Sequence, residues 1–397
     1  MKKLFPLILI ALLFLVLEFP VSKEASLKAQ QRDASSLSFW HIADPEEVFQ
    51  PLFNAWKKDH PANTISYQQF ADEEELRGLL LEQLKKGKGP DVFTFPLRDF
   101  QDFLPYLLPT SLKGDEKLWT FARDRLVQKK SLYGLPLSAE ALMAIYHDRY
   151  YPQGLKVGWN DFAQQTRAVS IPGIAMGVLS NVKSGWDMLE TLFVQKGVVL
   201  SGKPKNAWFD ILEFFTRFSD EKDPNFNWNE RLSKHFAEME LQSFVQGQVA
   251  AVFGYPEDYW RVLEKIQTED VRIPKEVVSL GFLPQFDSKN PRYLGQSMVL
   301  GVSLSSRSPK VAWEFVRFLT NEDNAKTYES LTGKISGRPI PWTKGDSELA
   351  RIQKTELASA SSFILSEKAK KRVESILDKV AKEKNKEELR EILNEAL

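Results

Sequence analysis

Residues Tyr133–Tyr151, YGLPLSAEALMAIYHDRYY, form the most informative stretch of the chain. A single carboxylate, Glu140, lies among Ala139, Ala141 and Leu142, just ahead of a strand-like apolar run. Burying an unpaired charge is costly. Glu140 therefore either faces solvent where a strand leaves the core, or lies in a cleft and accepts hydrogen bonds from a ligand. The motifs on either side favour the second interpretation.

Short motifs flank this stretch in a definite order. Before it come SFWH at 38–41, a predicted helix from about 45 to 60, an apolar strand at 64–70, a helix from about 72 to 85, and GPDVF at 89–93. After it come GWNDF at 158–162, FVQGQVAA at 244–251, LGFLP at 280–284, AWEFVRFL at 312–319 and GRP at 337–339. The alternation of strands and helices predicts a parallel sheet flanked by helices.

In this order and spacing the motifs resemble the family 1 extracellular solute-binding proteins, the binding subunits of ABC sugar importers, and among them the maltose-binding-protein-like members. The resemblance runs from about Ser38 to the C-terminus. It implies an α/β fold of the type II periplasmic-binding-protein class, with two lobes, each a sheet flanked by helices, and a ligand cleft between the lobes. It also implies a first lobe of residues 37–143 with 277–307 and a second of 144–276 with 308–397.

Composition limits the classes of function. A chain of 397 residues suggests about two domains, and 43% hydrophobic with 27% charged residues indicates a globular protein. The 53 basic and 53 acidic residues cancel, so net charge predicts neither a nucleic-acid partner nor binding to an anionic membrane. The absence of cysteine excludes disulfides, thiolate metal sites and a lipid-modified cysteine. The four histidines lie far apart, so no metal or cofactor is predicted.

The N-terminus reads as an export signal or an anchor. Residues 1–21 combine a basic start with an apolar run at 4–17, which as a helix rises about 21 Å against about 30 Å for a hydrocarbon core. Ala25 and Ala29 are weak cleavage positions, so an uncleaved membrane anchor stays open. Residues 22–36 are polar and are expected to form a flexible tether. The folded part is therefore predicted outside the cytoplasm, tethered to the membrane or secreted.

A sugar site needs aromatic platforms and a few fixed polar groups. By resemblance to the family, Glu140 accepts hydrogen bonds from ligand hydroxyls, and Phe95 and Trp186 are aromatic platforms on opposite lobes. The further residues expected at the ligand are Asp44, Arg98, Tyr255, Tyr259 and Arg338.

Some of these positions depart from the family pattern. The acid and arginine that follow the first platform appear here in reversed order, as Arg98 and Asp99, so their individual roles stay open. Gly254-Tyr255-Pro256 takes the place of a glycine–proline–tryptophan platform, and Tyr255 or Tyr259 is the expected substitute.

Most of the candidates also have a structural interpretation. Phe95 and Trp186 are equally suited to the core, and Tyr255 and Tyr259 to the surface of a domain. Asp44 precedes Pro45 and suits a helix N-cap. Arg98 suits a solvated loop, and Arg338, between Gly337 and Pro339, suits a turn.

The predicted function is that of an extracytoplasmic binding protein that captures a carbohydrate between two lobes and delivers it to ABC permease subunits. Two alternatives stay open: the same fold with a polyamine, metal ion or peptide as ligand, and a surface receptor without a role in transport. An enzyme is not predicted, because the sequence has no nucleophile elbow, no catalytic carboxylate pair at helical spacing and no phosphate loop.

Overall fold

The structure is a computed structural model that describes residues 36–114, 116–168, 185–197, 206–217, 237–247, 249–268, 273–341, 345–362 and 371. The strands are β1 Ser36–Ile42, β2 Thr64–Phe70, β3 Val92–Pro96, β4 Thr110–Ser111, β5 Val127–Gln128, β6 Ser131–Leu132, β7 Leu135–Glu140, β8 Met143–His147, β9 Ala251–Gly254, β10 Val278–Gly281, β11 Tyr293–Leu294, β12 Gln296–Val302, β13 Ile335–Ser336 and β14 Ala360–Ser361. The helices are α1 Glu46–Asp59, α2 Glu73–Lys85, α3 Phe100–Phe103, α4 Thr120–Leu126, α5 Trp159–Ala168, α6 Gly185–Gln195, α7 Asn206–Arg217, α8 Ala237–Val245, α9 Pro256–Thr268, α10 Pro309–Leu319, α11 Glu322–Thr332 and α12 Glu348–Ala358.

The larger sheet has six strands in the order β13-β7-β12-β3-β1-β2. Strand β1 pairs in parallel with β2 and β3, while β12 runs antiparallel to β3 and β7. The interior strands β1 and β3 are almost entirely buried, as expected for strands covered by helices on both faces. Parallel pairing brings the carboxyl ends of β1, β2 and β3 to the same edge of the sheet.

The smaller sheet has three antiparallel strands in the order β10-β8-β9. All five residues of β8, MAIYH, are buried, which matches the apolar run noted in the sequence. Its own hydrophobic cluster includes Ile145, Phe244, Val252 and Val262, contributed by β8, α8, β9 and α9. The remaining described strands form a β11-β14 pair and a β4-β6-β5 ribbon.

Helix packing follows the apolar spacing of the sequence. The buried face of α1 carries Phe49, Leu52, Phe53 and Trp56, spaced three to four residues apart. The Trp56 ring meets Phe315 of α10 edge-on with centroids 5.3 Å apart. These contacts attach α1 and α10 to the same side of the larger sheet. Sheets flanked by helices confirm the predicted α/β class.

Side chains of helix α12 form hydrogen bonds with two connections between the larger and the smaller sheet. The Gln353 amide of α12 accepts a hydrogen bond from the Ala141 N–H and donates one to the Ala141 carbonyl, each 2.9 Å long, between β7 and β8. On the same helix, Glu356 accepts a hydrogen bond from the Leu283 N–H at 3.2 Å, just after β10. Both side chains are fully buried. Helix α12 therefore contacts the backbone at both of these crossings.

Two stretches differ from the predicted lobe limits. Strand β10 lies within 277–307, predicted for the first lobe, yet it pairs with β8 in the smaller sheet. Residues 308–397 were predicted for the second lobe, yet α10 packs on β12 and α1, and β13 pairs with β7 in the larger sheet. Strand and helix periodicity do not reveal which sheet an element joins, because that depends on distant partners. The division into lobes stays a prediction.

The predicted N-terminal anchor, residues 1–21, and nearly all of the tether at 22–36 lie outside the described residues. Within the described part of the chain, no helix has the length and apolarity needed to cross a membrane.

Candidate functional site

A cavity of about 290 Å³ lies at the carboxyl ends of β1, β2 and β3. In open α/β sheets this edge is the usual place for a ligand. Residues of the larger sheet and its helices form most of the wall, and α6 and α9 close it from the side of the smaller sheet. The lining residues are His41, Ile42, Ala43, Ala71, Glu73, Pro96, Arg98, Ser138, Ala139, Glu140, Asp187, Tyr255, Pro256, Glu257, Trp260, Gln296, Ser297, Met298, Tyr328, Thr332, Gly333, Lys334 and Ile335.

Behind one wall of the cavity, Asp44 is the centre of a buried polar network. Its Oδ2 accepts a hydrogen bond from Tyr328 Oη at 2.5 Å and lies 2.9 Å from His41 Nε2. Its Oδ1 lies 2.5 Å from Lys334 Nζ. The hydroxyl of Tyr67 donates to the backbone carbonyl of Asp44. Both carboxylate oxygens are thus occupied by groups of the protein itself.

The environment keeps Asp44 ionised. Burial alone would raise the pKa of the Asp44 carboxyl, but the hydrogen bond from His41 and the charge of Lys334 outweigh it and hold this pKa well below its usual range. Burial lowers the pKa of His41, against the opposing effect of Asp44. The other ring nitrogen of His41 lies 3.0 Å from the Thr94 hydroxyl, so the imidazole is fixed at both nitrogens. This network joins β1 to α11 and β13.

A second polar group faces the cavity directly. The Arg98 guanidinium, just after β3, forms an ion pair with Glu73 in the first turn of α2. Burial would lower the pKa of Arg98, but the charges of Glu73 and Asp187 raise it further above its ordinary value. Because Asp187 begins α6 on the side of the smaller sheet, Arg98 interacts electrostatically with both sides of the cavity.

Tyr255 and Glu140 complete this group. The Tyr255 hydroxyl donates to Asp187 Oδ2 at 2.9 Å, and its backbone N–H donates to Asp258 Oδ2 at 2.8 Å, at the start of α9. Burial first, then the charges of Asp187 and Glu140, raises the pKa of Tyr255 well above its ordinary value. Glu140 ends β7 opposite Gln296 of β12. A phenol, a guanidinium and carboxylates thus meet in one cavity and suit a ligand with many hydroxyl groups.

Trp260 lies at the rim. It is 46% exposed, unusual for a large apolar side chain, and it lines the cavity from α9. Its indole lies so close to Gly333 that a Cβ added there would be 3.1 Å from Trp260 Nε1. Gly333 has φ of 69° and ends α11 on the other side of the cavity. The indole therefore lies beside Gly333 and remains partly exposed.

The structure brings together some of the predicted site residues. Arg98, Glu140 and Tyr255 line the cavity. Asp44 lies behind its wall, and three of the side chains bonded to it, His41, Tyr328 and Lys334, line it instead. Asp44 does not act as an N-cap either, because α1 is capped by Pro45 without a side-chain hydrogen bond.

Of the other four predicted residues, three do not line this cavity, and the side chain of the fourth is outside the described part of the structure. Phe95 is 1% exposed and packs between Phe93 and Phe103 in the core. Tyr259 packs against the hydrophobic cluster of the smaller sheet. Arg338 lines a separate, smaller cavity. Trp186 lies in the first turn of α6, and its side chain is outside the described part of the structure.

Sequence reasoning missed several lining residues. Glu73 and Asp187 are acids in the first turns of helices. The helix dipole stabilises a carboxylate at this position, so an acid there is common and does not indicate a binding site. Trp260 follows Tyr259 within an amphipathic helix and reads as a surface residue. Lys334 carries no local signal. Among the described residues, no group of three or more His, Asp or Glu is arranged to hold a metal ion.

Comparison with known protein families identifies the family of this chain. The profile of the family described as bacterial extracellular solute-binding protein matches residues 42–326, well over half of the chain. Sequence comparison with curated proteins gives no match.

Solved structures share the fold. A cyclo/maltodextrin-binding protein in complex with maltotetraose is 18% identical with a TM-score of 0.74, and the alignment covers 92% of this chain and 96% of that one. The sugar-binding protein MalE of Xanthomonas citri is 13% identical with a TM-score of 0.74, covering 91% and 97%. A Staphylococcus aureus extracellular solute-binding protein in complex with maltose is 14% identical with a TM-score of 0.72, covering 92% and 98%. These similarities confirm the predicted two-lobe fold.

Proposed function

The chain belongs to the bacterial extracellular solute-binding protein family, and we propose that it captures a carbohydrate in the cavity beside β1–β3 and delivers it to an ABC permease. The observation that carries the proposal is the make-up of this cavity. Its wall combines carboxylates, one guanidinium and a half-exposed indole, drawn from both sides of the molecule. The similar structures in complex with maltotetraose and with maltose support the choice of a carbohydrate.

Each group has a proposed role toward a sugar. Glu140 accepts hydrogen bonds from hydroxyls at the floor of the cavity, and the Arg98 guanidinium donates to them. Tyr255 holds Asp187 in place through its 2.9 Å hydrogen bond, so that the Asp187 carboxylate points to one position. Trp260 offers its exposed face to the apolar C–H surface of a sugar ring.

Closure of the cavity is the proposed transport signal. A ligand that touches both Arg98 and the Trp260 side binds the closed form better than the open form, and this differential affinity shifts the population toward closure. The connections held by Gln353 and Glu356 of α12 lie where the two sheets are joined, and they supply the hinge. The permease then recognises the closed form.

The predicted tethering belongs to the same proposal. A short apolar N-terminal segment without a cysteine anchor is suited either to cleavage or to retention as a membrane helix, which keeps the binding part outside the cytoplasm. N-terminal sequencing of membrane-extracted protein distinguishes the two, because a terminus near Ser26 or Gln30 requires cleavage.

The test is calorimetric titration of the full-length chain with glucose, maltose, maltotriose and longer maltodextrins. We expect saturable binding to at least one of these sugars, with an increase in the melting temperature at saturation, because a ligand bound only by the folded state stabilises it. A Glu140→Gln variant tests the site, and Glu264→Gln, an exposed residue of α9, is the matched control. Absence of binding to every sugar would refute the carbohydrate proposal.

A second candidate is a cationic ligand such as a polyamine. Four carboxylates, Glu73, Glu140, Asp187 and Glu257, line the cavity beside only two strongly basic groups, Arg98 and Lys334. Such an excess of negative charge favours an amine. Titration with putrescine and spermidine under the same conditions decides between the two, since a neutral sugar and a polyamine differ in salt dependence.

A further inference from the structure

A second, smaller cavity lies away from the ligand cavity. Its volume is about 120 Å³, many times the roughly 10–15 Å³ that one water molecule needs by this measure. Its walls come from the loop after β4, the end of α10 and the residues after β13. Leu118, Leu135 and Pro136 form an apolar part of the wall.

Positive charge dominates the polar part of this wall. Among the described residues, four cationic side chains line the cavity, Lys113, Lys117, Arg317 and Arg338, against one carboxylate, that of Glu116. Both oxygens of Glu116 are already engaged, because Oε1 lies 2.6 Å from Arg317 Nε and Oε2 accepts a hydrogen bond from the Lys113 N–H at 2.6 Å. The carboxylate therefore offsets only part of the positive charge.

The Arg317 guanidinium is held rigidly. Besides the pair with Glu116, its Nη2 donates to the Thr110 hydroxyl at 3.2 Å and to the Ser111 carbonyl at 3.0 Å. It also lies over the Trp313 ring, 5.5 Å from the centroid. A guanidinium fixed in this way loses little conformational entropy when it binds an anion with its remaining N–H groups.

The acidic neighbours do not cancel the excess. The main partner of Glu322 in α11 is Lys326, 2.7 Å away, which lowers the pKa of the Glu322 carboxyl, and the charges of Arg338 and Lys117 add smaller contributions. Asp115 lies outside the described residues. Like charges gathered around a partly enclosed volume repel one another, and an anion between them removes this repulsion.

We propose that this cavity binds a small multivalent oxyanion of the phosphate or sulfate class. Tetrahedral oxyanions match the planar donors of arginine and the point charges of lysine. The site is separate from the ligand cavity but close to it along the chain on the two sides of β13: Lys334 and Ile335 line the ligand cavity, whereas Gly337 and Arg338 line the cationic one. The proposal does not depend on the identity of the transported solute.

The experiment titrates the full-length chain with inorganic phosphate at constant ionic strength, observed by ³¹P NMR and by calorimetry. The test variant is the double substitution Lys113→Gln/Lys117→Gln. Both lysines are exposed, and no ion pair of either occurs in the described part of the chain, so the fold is expected to persist. The control is Lys57→Gln/Lys58→Gln, which removes the same charge from exposed positions at the end of α1.

We expect saturable phosphate binding by the wild type and by the control, and affinity lowered about tenfold or more in the test variant. A melting curve of each variant verifies folding before titration. Failure of the folded wild type to bind phosphate or sulfate at tens of millimolar refutes the site. Equal affinity in all three proteins also refutes it, because the interaction would then be general screening rather than binding in this cavity.

Discussion

Two polar clusters on neighbouring walls of the same cavity are built differently. Around Asp44, both oxygens of the carboxylate are engaged by side chains of the protein, those of His41, Tyr328 and Lys334, and the group is nearly buried. Around Arg98, Tyr255 is buried, but the Arg98 and Glu73 side chains are 38% and 37% exposed and line the cavity. A buried cluster whose polar groups are paired with one another stabilises the folded state, whereas a partly exposed cluster of similar composition is suited to a ligand.

The comparison explains why residue type alone is a poor guide to binding. Asp44 lies just after the buried strand β1 and Glu140 is the last residue of β7, and both carboxylates were expected at the ligand. Only Glu140 lines the cavity. The difference lies in the partners that the fold brings to each carboxylate. Five substitutions test whether each residue contributes mainly to stability or mainly to ligand binding.

The largest effect is expected on the structural side, at Phe95. Phe95→Ala removes a ring packed between Phe93 and Phe103 and leaves a cavity in the core, so the free energy of unfolding should fall by about 3–5 kcal/mol. Urea unfolding measures the change. If instead the variant unfolds like the wild type but binds sugar weakly, Phe95 is an aromatic platform after all.

Asp44→Ala should come next. It leaves Lys334 and His41 without their shared partner, and loss of one member of a largely buried pair costs about 3 kcal/mol of stability. The comparator is Asp72→Ala, which removes only the side-chain cap of α2, a loss of about 1 kcal/mol. Equal losses in the two variants would mean that the Asp44 network contributes no more than a helix cap.

On the binding side, Glu140→Gln should weaken sugar binding by about 1.5–3 kcal/mol, the range for a hydrogen bond to a charged group. The melting temperature should stay close to that of the wild type, because Glu140 is half-buried at the end of β7. Calorimetric titration and a melting curve are made on the same sample. Loss of the melting transition with unchanged affinity would move Glu140 to the structural group.

In the connection proposed as the hinge, Glu356 adds a pH-dependent effect. Burial raises the pKa of the Glu356 carboxyl well above its ordinary value, so the folded state binds the proton more strongly than the unfolded state. The stabilisation by this group is complete below the unfolded pKa of about 4.3 and is lost as pH rises toward the folded pKa.

A Glu356→Gln variant cannot ionise at this position. The free energy of unfolding of this variant should therefore rise relative to the wild type as pH increases above about 4.3, by at most about 1.4 kcal/mol per pH unit. Urea unfolding of both proteins between acidic and mildly basic pH measures the difference. A difference that is constant with pH would show that Glu356 has the same pKa in both states.

The smallest effect is expected at Trp260. Trp260→Ala removes a partly exposed ring that lines the cavity beside Gly333, so sugar affinity should fall by about 1 kcal/mol without loss of stability. Trp260→Phe should retain most of the affinity, since a smaller aromatic face remains. If both variants bind sugar with the affinity of the wild type and show the same change in tryptophan fluorescence on titration, stacking at this position is excluded.

The sequence by itself determined the α/β alternation and the strand-like apolar run that forms β8. Each of these depends on local spacing: period-two or continuous apolar runs for strands, and periodic apolar faces for helices. Arg98 and Tyr255, which line the cavity, were expected at the ligand only through the resemblance to the family, at positions that follow β3 and β9 along the chain.

Only the tertiary structure decided which of these residues face a cavity. Tyr328 and Lys334 are 284 and 290 residues from Asp44, and no local pattern predicts that they occupy its carboxylate. Strand β3 is buried nearly throughout, so its alternation does not tell on which face Phe95 lies. Local sequence sets the elements because it sets their hydrophobic periodicity, whereas the roles of single side chains depend on contacts made only when distant segments pack together.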